Sequence, residues 1–130
     1  MLNLKEECLF CNKKKQNIIY STKFIYVVRD SFPVTKHHSL IISHRHVSNF
    51  FDLNEDELKD LSETLKKERQ FLLNLDKQIT AFNVGVNAGK DSGQSIMHCH
   101  IHLIPRRKGD IENPRGGVRG VIPLKQKYIK

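Results

Sequence analysis

One stretch of the sequence decides the predicted fold: His98-Cys99-His100-Ile101-His102-Leu103-Ile104-Pro105. Histidines alternate here with apolar residues, and successive side chains of a β-strand point to opposite faces. A strand would therefore place all three histidines on one face and direct Cys99, Ile101 and Leu103 into a core. We predict a half-buried strand that carries a row of imidazoles.

The residues alone leave three uses of this row open. It can be a polar strand face with solvated imidazoles. It can be a metal site, although side chains two residues apart lie about 6.6–6.8 Å from each other, so that two imidazoles reach one ion more easily than three. It can be a site of nucleophilic catalysis, in which a central neutral imidazole attacks and its neighbours handle charge and protons. The glycine-bearing loop 89–95 leads into the row and favours a site where imidazoles meet an anion.

Length and composition predict one soluble domain over residues 1–130, with a core at 1–107 and a basic C-terminal arm at 108–130. No apolar run approaches the roughly 20 residues that span a bilayer. The first seven residues, Met1–Glu7, lack the apolar centre of a signal peptide. We therefore expect a cytoplasmic protein without a membrane partner.

The formal net charge of +8 predicts attraction to anions. The charge can simply belong to a lysine-rich solvated surface. Alternatively, it can steer small molecules that carry phosphate towards the protein. Nucleic acid is not an expected partner, because Trp is absent and the Phe and Tyr residues are not clustered with the basic ones.

The three cysteines fall into two groups. Cys8 and Cys11 form a C-x-x-C, which fits a metal site completed by other ligands, a redox motif, or two structural thiols. No βαβ pattern surrounds the pair, so a redox motif has little support. Cys99 points away from the neighbouring histidines, and we predict a small buried apolar residue.

The remaining elements are predicted from residue periodicity. Asn54 and Glu57 resemble a capping box that opens a long amphipathic helix ending near Asn74. The predicted strands, rich in β-branched and aromatic residues, are 18–20, 24–28, 38–43 and 81–87. The last of them is expected to pair antiparallel with the histidine strand through the loop 88–95. Lys90 in this loop is expected to be exposed, since the spacing of a P-loop is absent.

The alternation of three histidines with apolar residues, preceded by Gly93-Gln94-Ser95, resembles the motif of the histidine triad (HIT) superfamily of nucleotide hydrolases and transferases. Matching residues extend from about Cys8 to Arg107, and the tail resembles that of some bacterial members. The resemblance implies an α+β fold with a mainly antiparallel five-stranded sheet and one long helix. It also implies a homodimer in which the two sheets form one continuous sheet.

The resemblance assigns candidate roles to individual residues. His100 would be the nucleophile that forms a nucleotidyl-histidine intermediate, with His102 and His38 balancing charge on the α-phosphate oxygens. His37 is an alternative to His38, but the spacing to His46 favours His38. The candidate contacts to the phosphate or the leaving group are Gln94 and Ser95, with Asn87 nearby.

Asp30 has two possible roles. A short carboxylate after a strand often caps a turn. The resemblance implies instead that Asp30 holds the ribose hydroxyls of a nucleotide, while Phe10, Ile25 and Val28 enclose the base.

The resemblance to zinc-bearing members of the family completes the C-x-x-C with two histidines. The implied ligands of a structural Zn2+ are Cys8, Cys11, His46 and His98. The implied reaction requires no catalytic metal.

We therefore expect a hydrolase or nucleotidyl transferase that cleaves at the α-phosphate of a purine nucleotide conjugate. Nucleoside phosphoramidates, as in the Hint branch, and diadenosine polyphosphates, as in the Fhit branch, are both candidate substrates. The first alternative is a catalytically weak nucleotide-binding regulatory or scaffold protein. A zinc-dependent hydrolase that uses the histidine row as ligands and a nucleic-acid-binding module are further alternatives.

Overall fold

The computed structural model describes residues 8–128; Met1–Glu7, on which the expectation about a signal peptide rests, lies outside the described residues. A single antiparallel sheet with the strand order β1-β2-β3-β5-β4 carries one long helix. The elements are β1 (Tyr20–Ser21), β2 (Ile25–Arg29), β3 (Ser39–Ser43), α1 (Glu55–Leu75), β4 (Ile79–Val86) and β5 (His100–Arg107). The predicted α+β fold with five strands and one helix is confirmed.

Helix α1 begins where the capping residues predict. The Asn54 side chain accepts from the Glu57 backbone N–H at 2.9 Å, and the Glu57 carboxylate accepts from the Asn54 N–H at 3.0 Å. The Glu57 carboxylate also receives two hydrogen bonds from the Arg45 guanidinium, at 2.7 and 3.3 Å. Arg45 therefore neutralises a buried carboxylate at the start of the helix.

One face of the sheet packs against α1. Cys99 and alternate residues of β5 are buried there, as predicted, in a cluster with residues of β2, β3 and the helix. Its buried members are Ile25, Val27, Ile41, Val47, Leu53, Leu61, Leu72, Ile79, Cys99, Ile101 and Leu103. Burying this set removes a large apolar area from water and fixes which face of β5 its histidines occupy.

The opposite face of the sheet has a smaller buried cluster, which forms a floor beside the histidines. Its members are Phe10, Tyr26, Val28, Leu40 and Ile42. Ile25 belongs to the helix-facing cluster, so the prediction that Ile25 helps to enclose the base on the histidine side is wrong. Strand alternation places Ile25 and Val28 on opposite faces of β2.

The hairpin of β4 and β5 brings the loop 88–95 to the histidines. Gly85 pairs with His102 and Val84 with Leu103, in the predicted antiparallel arrangement. Strand β5 begins at His100, so His98 precedes the strand rather than opening it. The expected row is thus divided between two in-strand histidines and one at the strand entrance.

The C-terminal arm leaves the sheet after Arg107 and folds into short 3-10 turns at Gly117–Val121 and Pro123–Lys125. Gly116 has φ 88°, and a Cβ there would lie 1.9 Å from the Gln126 carbonyl oxygen, so the turn requires glycine. The guanidinium of Arg119 lies 5.1 Å from the centre of the Tyr128 ring. Within residues 8–128, no helix is long and apolar enough to cross a membrane.

Candidate active site and metal centre

His100 is held in one tautomer by the residue before the strand. Its Nδ1 lies 2.8 Å from the His98 carbonyl oxygen, so Nδ1 carries the proton and donates it to that oxygen. The Nε2 atom then keeps its lone pair. Only 8% of His100 is exposed, and its ring centre lies 5.0 Å from that of Phe10 and 5.5 Å from that of His102. The arrangement provides an oriented imidazole nucleophile.

His38 and His102 form a second, hydrogen-bonded pair. The Val34 backbone N–H donates to His38 Nδ1 at 3.0 Å, which places the proton of neutral His38 on Nε2. This Nε2 lies 2.8 Å from His102 Nδ1, so it donates there, and His102 carries its own proton on Nε2. The chain of donors ends with an N–H of His102 available to a substrate.

Burial keeps this pair neutral. Desolvation is the largest cause that lowers the pKa of His38, and the nearby Asp30 carboxylate partly opposes it by raising that pKa. Desolvation also lowers the pKa of His102, and His38 and His100 lower it further. Burial therefore favours the neutral form of both imidazoles.

Asp30 combines a turn cap with a place in the site. Its Oδ1 accepts from the Phe32 backbone N–H at 2.8 Å, which is the capping role. Its Oδ2 lies 3.4 Å from His38 Nε2 and 4.0 Å from His102 Nδ1. The structure therefore shows the turn cap, the second oxygen faces the histidine pair, and the contact with a ribose stays a prediction.

The group Asp30, His38 and His102 has the residue types and the spacing of a cation site, with all three ligand atoms within 4.8 Å of one another. The tautomer of His38 opposes this use. A metal at Nε2 would require the proton to move to Nδ1, where the Val34 N–H already donates. The group therefore fits a hydrogen-bonded pair with a carboxylate better than a metal centre.

The two polar residues Gln94 and Ser95 of the loop before β5 differ in exposure. Gln94 is buried, and its amide serves the loop itself: Oε1 accepts from the Gly89 N–H at 2.8 Å, and Nε2 donates to the carbonyls of Ser48 and Ile96 at 2.6 and 3.0 Å. Ser95 is exposed beside it. Gln94 thus shapes the loop, and Ser95 is the hydroxyl that solvent or a ligand reaches.

A cavity of about 550 Å³ lies on the β4 side of His102, between the sheet and the C-terminal arm. Asn87, at the mouth of the loop, and Ile104 line it from the sheet, and Val118 lines it from the arm. Arg106 also lines the cavity, but its guanidinium is held by Asp110 at 2.8 Å and by the Asn83 side chain at 2.7 Å. The cavity is mainly apolar where it adjoins His102, the histidine whose Nε2–H can donate to a ligand.

Sequence reasoning missed several contributors to the site. Val34 sets the tautomer of His38 through its backbone, and a backbone role leaves no signal in side-chain patterns. The arm supplies a wall of the cavity, whereas the sequence predicted only a basic arm after residue 107.

The predicted zinc ligands meet at one point. Cys11 Sγ lies 3.1 Å from His46 Nδ1, and Cys8 Sγ lies 3.3 Å from His98 Nδ1. The two Nδ1 atoms are 3.1 Å apart. With metal–sulfur distances near 2.3 Å and metal–nitrogen distances near 2.0–2.1 Å, a tetrahedral ion separates such atoms by about 3.3–3.6 Å. The four side chains are already close to that geometry.

The hydrogen bond behind His98 also fits a metal. Its Nε2 lies 2.7 Å from the Ser43 carbonyl oxygen, so Nε2 donates and Nδ1 presents a lone pair to the thiolates and to His46. Two cysteines and two histidines form a closed structural site for Zn2+. The donor set therefore fits zinc, and the ion would tie the N-terminal turn to the entrance of β5.

The chain resembles known proteins in sequence. The family model described as HIT domain matches residues 12–109. A nitrilase and fragile histidine triad fusion protein of Caenorhabditis elegans is 38% identical over 99 residues, covering 76% of this chain and 22% of that protein. The asymmetrical bis(5'-nucleosyl)-tetraphosphatase of Schizosaccharomyces pombe is 34% identical over 93 residues, covering 72% of this chain and 50% of that protein. The chain thus spans half or less of each of these two relatives.

Smaller proteins match over more of their length. An uncharacterised HIT-like protein of Saccharolobus solfataricus is 30% identical over 104 residues, covering 75% of this chain and 73% of that protein. The crystal structure of a hypothetical histidine triad nucleotide-binding protein from Sulfolobus tokodaii has a TM-score of 0.73 at 27% identity, over 78% of this chain and 70% of that one. A Zn-bound histidine triad protein of Mycobacterium smegmatis has a TM-score of 0.76 at 23% identity, over 84% and 81%, and shows the shared fold. The chain belongs to the histidine triad (HIT) family.

Proposed function

We propose that the protein is a nucleotide hydrolase or nucleotidyl transferase that cleaves at the α-phosphate of a purine nucleotide conjugate through a covalent intermediate on His100. The observation that carries the proposal is the hydrogen bond from His100 Nδ1 to the His98 carbonyl oxygen. It leaves Nε2 as the atom with a lone pair, on a side chain whose orientation is fixed before substrate binds.

The reaction proceeds in two displacements. The Nε2 lone pair of His100 attacks the α-phosphorus, and a P–N bond forms while the bond to the leaving group breaks and its electron pair departs with that group. Water then attacks the same phosphorus, the P–N bond breaks and its electron pair returns to Nε2, and the nucleoside monophosphate leaves while the proton lost by the water passes to solvent. A transferase results where another nucleophile replaces water.

The neighbouring groups stabilise charge on the phosphoryl oxygens. His102 offers its Nε2–H, and His38 holds His102 in the required tautomer. Asp30 keeps His38 oriented and, on the side away from the pair, is the proposed partner of the ribose. Ser95 and Asn87 are the proposed contacts to the phosphate or the leaving group, and Gln94 acts by holding the loop that presents Ser95.

The protonation state of the pair favours one class of substrate. An amine that leaves from a phosphoramidate needs a proton, whereas a nucleotide leaving from a dinucleoside polyphosphate departs as a phosphate that is largely ionised, with its second pKa near 6. Burial lowers the pKa of both His38 and His102 and so favours the neutral form of the pair, which has no extra proton for a leaving group. Together with the named activity of the Schizosaccharomyces pombe relative, this supports dinucleoside polyphosphates as the better substrates.

The assembly, the metal and the compartment belong to the same proposal. We infer a homodimer formed along β4, because β4 is an edge strand and carries the exposed apolar residue Val84. Zn2+ is the proposed structural ion. A cytoplasmic location is proposed because thiolate ligands persist in a reducing compartment.

A substrate panel with adduct mapping tests the proposal. Purified protein is incubated with a diadenosine polyphosphate and with a fluorogenic adenosine phosphoramidate, quenched in acid-free denaturant, and digested for mass spectrometry. We expect turnover and an adenylyl adduct on His100. Nucleotide binding without turnover would favour the scaffold alternative, and an adduct on another residue would refute the assignment of the nucleophile.

A further inference from the structure

We propose that Phe10 is a positioning residue that couples the metal centre to the nucleophile, an inference that rests on the proposed role of His100. Phe10 lies in the turn between the two metal-ligand cysteines, Cys8 and Cys11. Its ring centre is 5.0 Å from the His100 imidazole, with 61° between the ring planes. The turn that binds the metal therefore also places an aromatic ring on the nucleophile.

Two contacts fix the imidazole of His100 from different sides. The His98 carbonyl oxygen accepts from Nδ1 at 2.8 Å and sets the tautomer. The Phe10 ring meets the imidazole edge to face and restricts its rotation about the Cβ–Cγ bond, a torsion that is otherwise broad for histidine. Attack on phosphorus in line with the leaving group depends on both restrictions.

Both contacts originate at the metal centre. His98 contributes Nδ1 to the proposed ion and its carbonyl to His100. Phe10 also lies edge to face against the His98 ring, at 6.0 Å and 84°. The Tyr26 hydroxyl donates to the Phe10 carbonyl oxygen, which seats the turn on the floor of the sheet. An ion that holds Cys8, Cys11 and His98 together thus fixes the tautomer and the rotation of His100 at once.

Burial distinguishes this role from contact with substrate. Phe10 is only 3% exposed and is packed with Tyr26, Val28, Leu40 and Ile42. Almost none of its surface remains for a nucleobase, although the sequence suggested that it encloses the base. Loss of the ring should therefore slow the chemical step and leave substrate binding nearly unchanged.

The test is Phe10→Leu, which keeps an apolar side chain but removes the ring. We measure zinc per chain by elemental analysis, KM and the single-turnover rate of adenylylation, and the tautomer of His100 by long-range 1H–15N correlation at fixed pH. We expect unchanged zinc, a KM within about twofold, and adenylylation slowed about tenfold or more. The His100 ring should also lose its single Nδ1–H signature. Leu9→Ala, in the same turn but at an exposed side chain, is the matched control and should change none of these.

An unchanged rate and an unchanged His100 spectrum in Phe10→Leu would overturn the inference, as would a raised KM with an unchanged rate, which is the behaviour of a substrate-contacting wall. If Phe10→Leu loses zinc, Tyr26→Phe serves as the test variant instead, because it removes the hydrogen bond to the Phe10 carbonyl without altering the Phe10 ring or a metal ligand. Tyr26→Phe should slow adenylylation at an unchanged zinc content. An unaltered rate in this variant would overturn the inference. The NMR measurement needs no substrate. A normal rate in His100→Ala would instead refute the proposed function itself.

Discussion

The backbone carbonyl of His98 lies 2.8 Å from Nδ1 of His100, and the side chain of His98 presents its own Nδ1 to Cys8. One residue therefore serves two sites. Its side chain belongs to the metal centre, and its backbone fixes the tautomer of the candidate nucleophile. This division follows from the position of His98 just before β5, where its side chain reaches Cys8 and His46 while His100 and His102 continue along the strand.

Replacing His100 by Ala should abolish turnover. The variant loses the only group proposed to bond to phosphorus, so we expect kcat to fall roughly 10⁴-fold or more, with nucleotide affinity changed by a few fold. Steady-state kinetics and calorimetric titration with a nucleoside monophosphate measure the two effects. His37→Asn is a suitable control, because His37 has φ 75° and Asn tolerates that conformation. Substantial turnover in His100→Ala would contradict the assigned role.

Replacing Cys8 by Ser should remove the metal and lower stability. Loss of a structural metal lies at the severe end of single substitutions, so we expect about 4 kcal/mol or more and a fall in Tm of roughly 10 °C or more. Elemental analysis and calorimetry measure both. Cys99→Ala is the control: it removes a buried thiol from the core and should reduce stability while retaining zinc. Wild-type protein that carries no zinc would refute the metal assignment and leave the catalytic one standing.

Much of the fold could be predicted from the sequence because its local signals agree with its packing. The capping pair Asn54 and Glu57 determines the start of α1, and the alternation around Ile101 determines the buried face of β5. The helix ends at Leu75, one residue beyond the predicted position. The structure also brings together the four zinc ligands that the family resemblance implies.

The predictions for Ile25 and Gln94 differ from the structure for physical reasons. Strand alternation by itself places Ile25 and Val28 on opposite faces, so the two could not enclose one base, and because β2 is buried on both faces each of them packs into a different cluster. Gln94 was expected at the phosphate, but its buried amide bonds to the backbone of Gly89, Ser48 and Ile96 instead. Periodicity does not reveal such long-range hydrogen bonds.

Replacing Arg45 by Leu should destabilise the start of α1. Glu57 has a side chain only 2% exposed, and Arg45, 52% exposed, is its cationic partner. Removing the cation leaves the buried carboxylate with only the Asn54 N–H as a donor, so we expect the free energy of unfolding to fall at pH 7. Thermal unfolding measures the change, and the double variant with Glu57→Gln should recover much of it. Equal losses in the single and double variants would show that the charge is not the cause.

The same ion pair predicts the sign of a pH effect. Burial by itself raises the pKa of Glu57, but the hydrogen bonds from Arg45 and the Asn54 N–H lower it overall. A carboxyl whose folded pKa lies below its unfolded value stabilises the fold fully above the unfolded pKa of 4.5 and loses that contribution as pH falls through the folded pKa. The wild-type Tm should therefore drop on acidification below about pH 4.5, and Arg45→Leu should lose less Tm over that interval.

Replacing Asp30 by Asn should change the pH dependence of substrate choice. Asp30 is the group that raises the pKa of His38 against the larger lowering by burial, so Asp30→Asn should lower that pKa further. In its neutral form the pair has no extra proton for an amine leaving group, so the supply of that proton should depend on pH.

The measurable quantity is the ratio of kcat/KM for a phosphoramidate to that for a dinucleoside polyphosphate. Above the lowered pKa this ratio should fall about tenfold per pH unit, since only the amine requires the proton. In Asp30→Asn the ratio should begin to fall at a lower pH than in the wild type. Asp91→Asn, which changes an exposed carboxylate in the loop, is the control and should leave the pH dependence of the ratio unchanged. A ratio independent of pH would show that the proton comes from elsewhere, and it would remove the reason to prefer a phosphate leaving group.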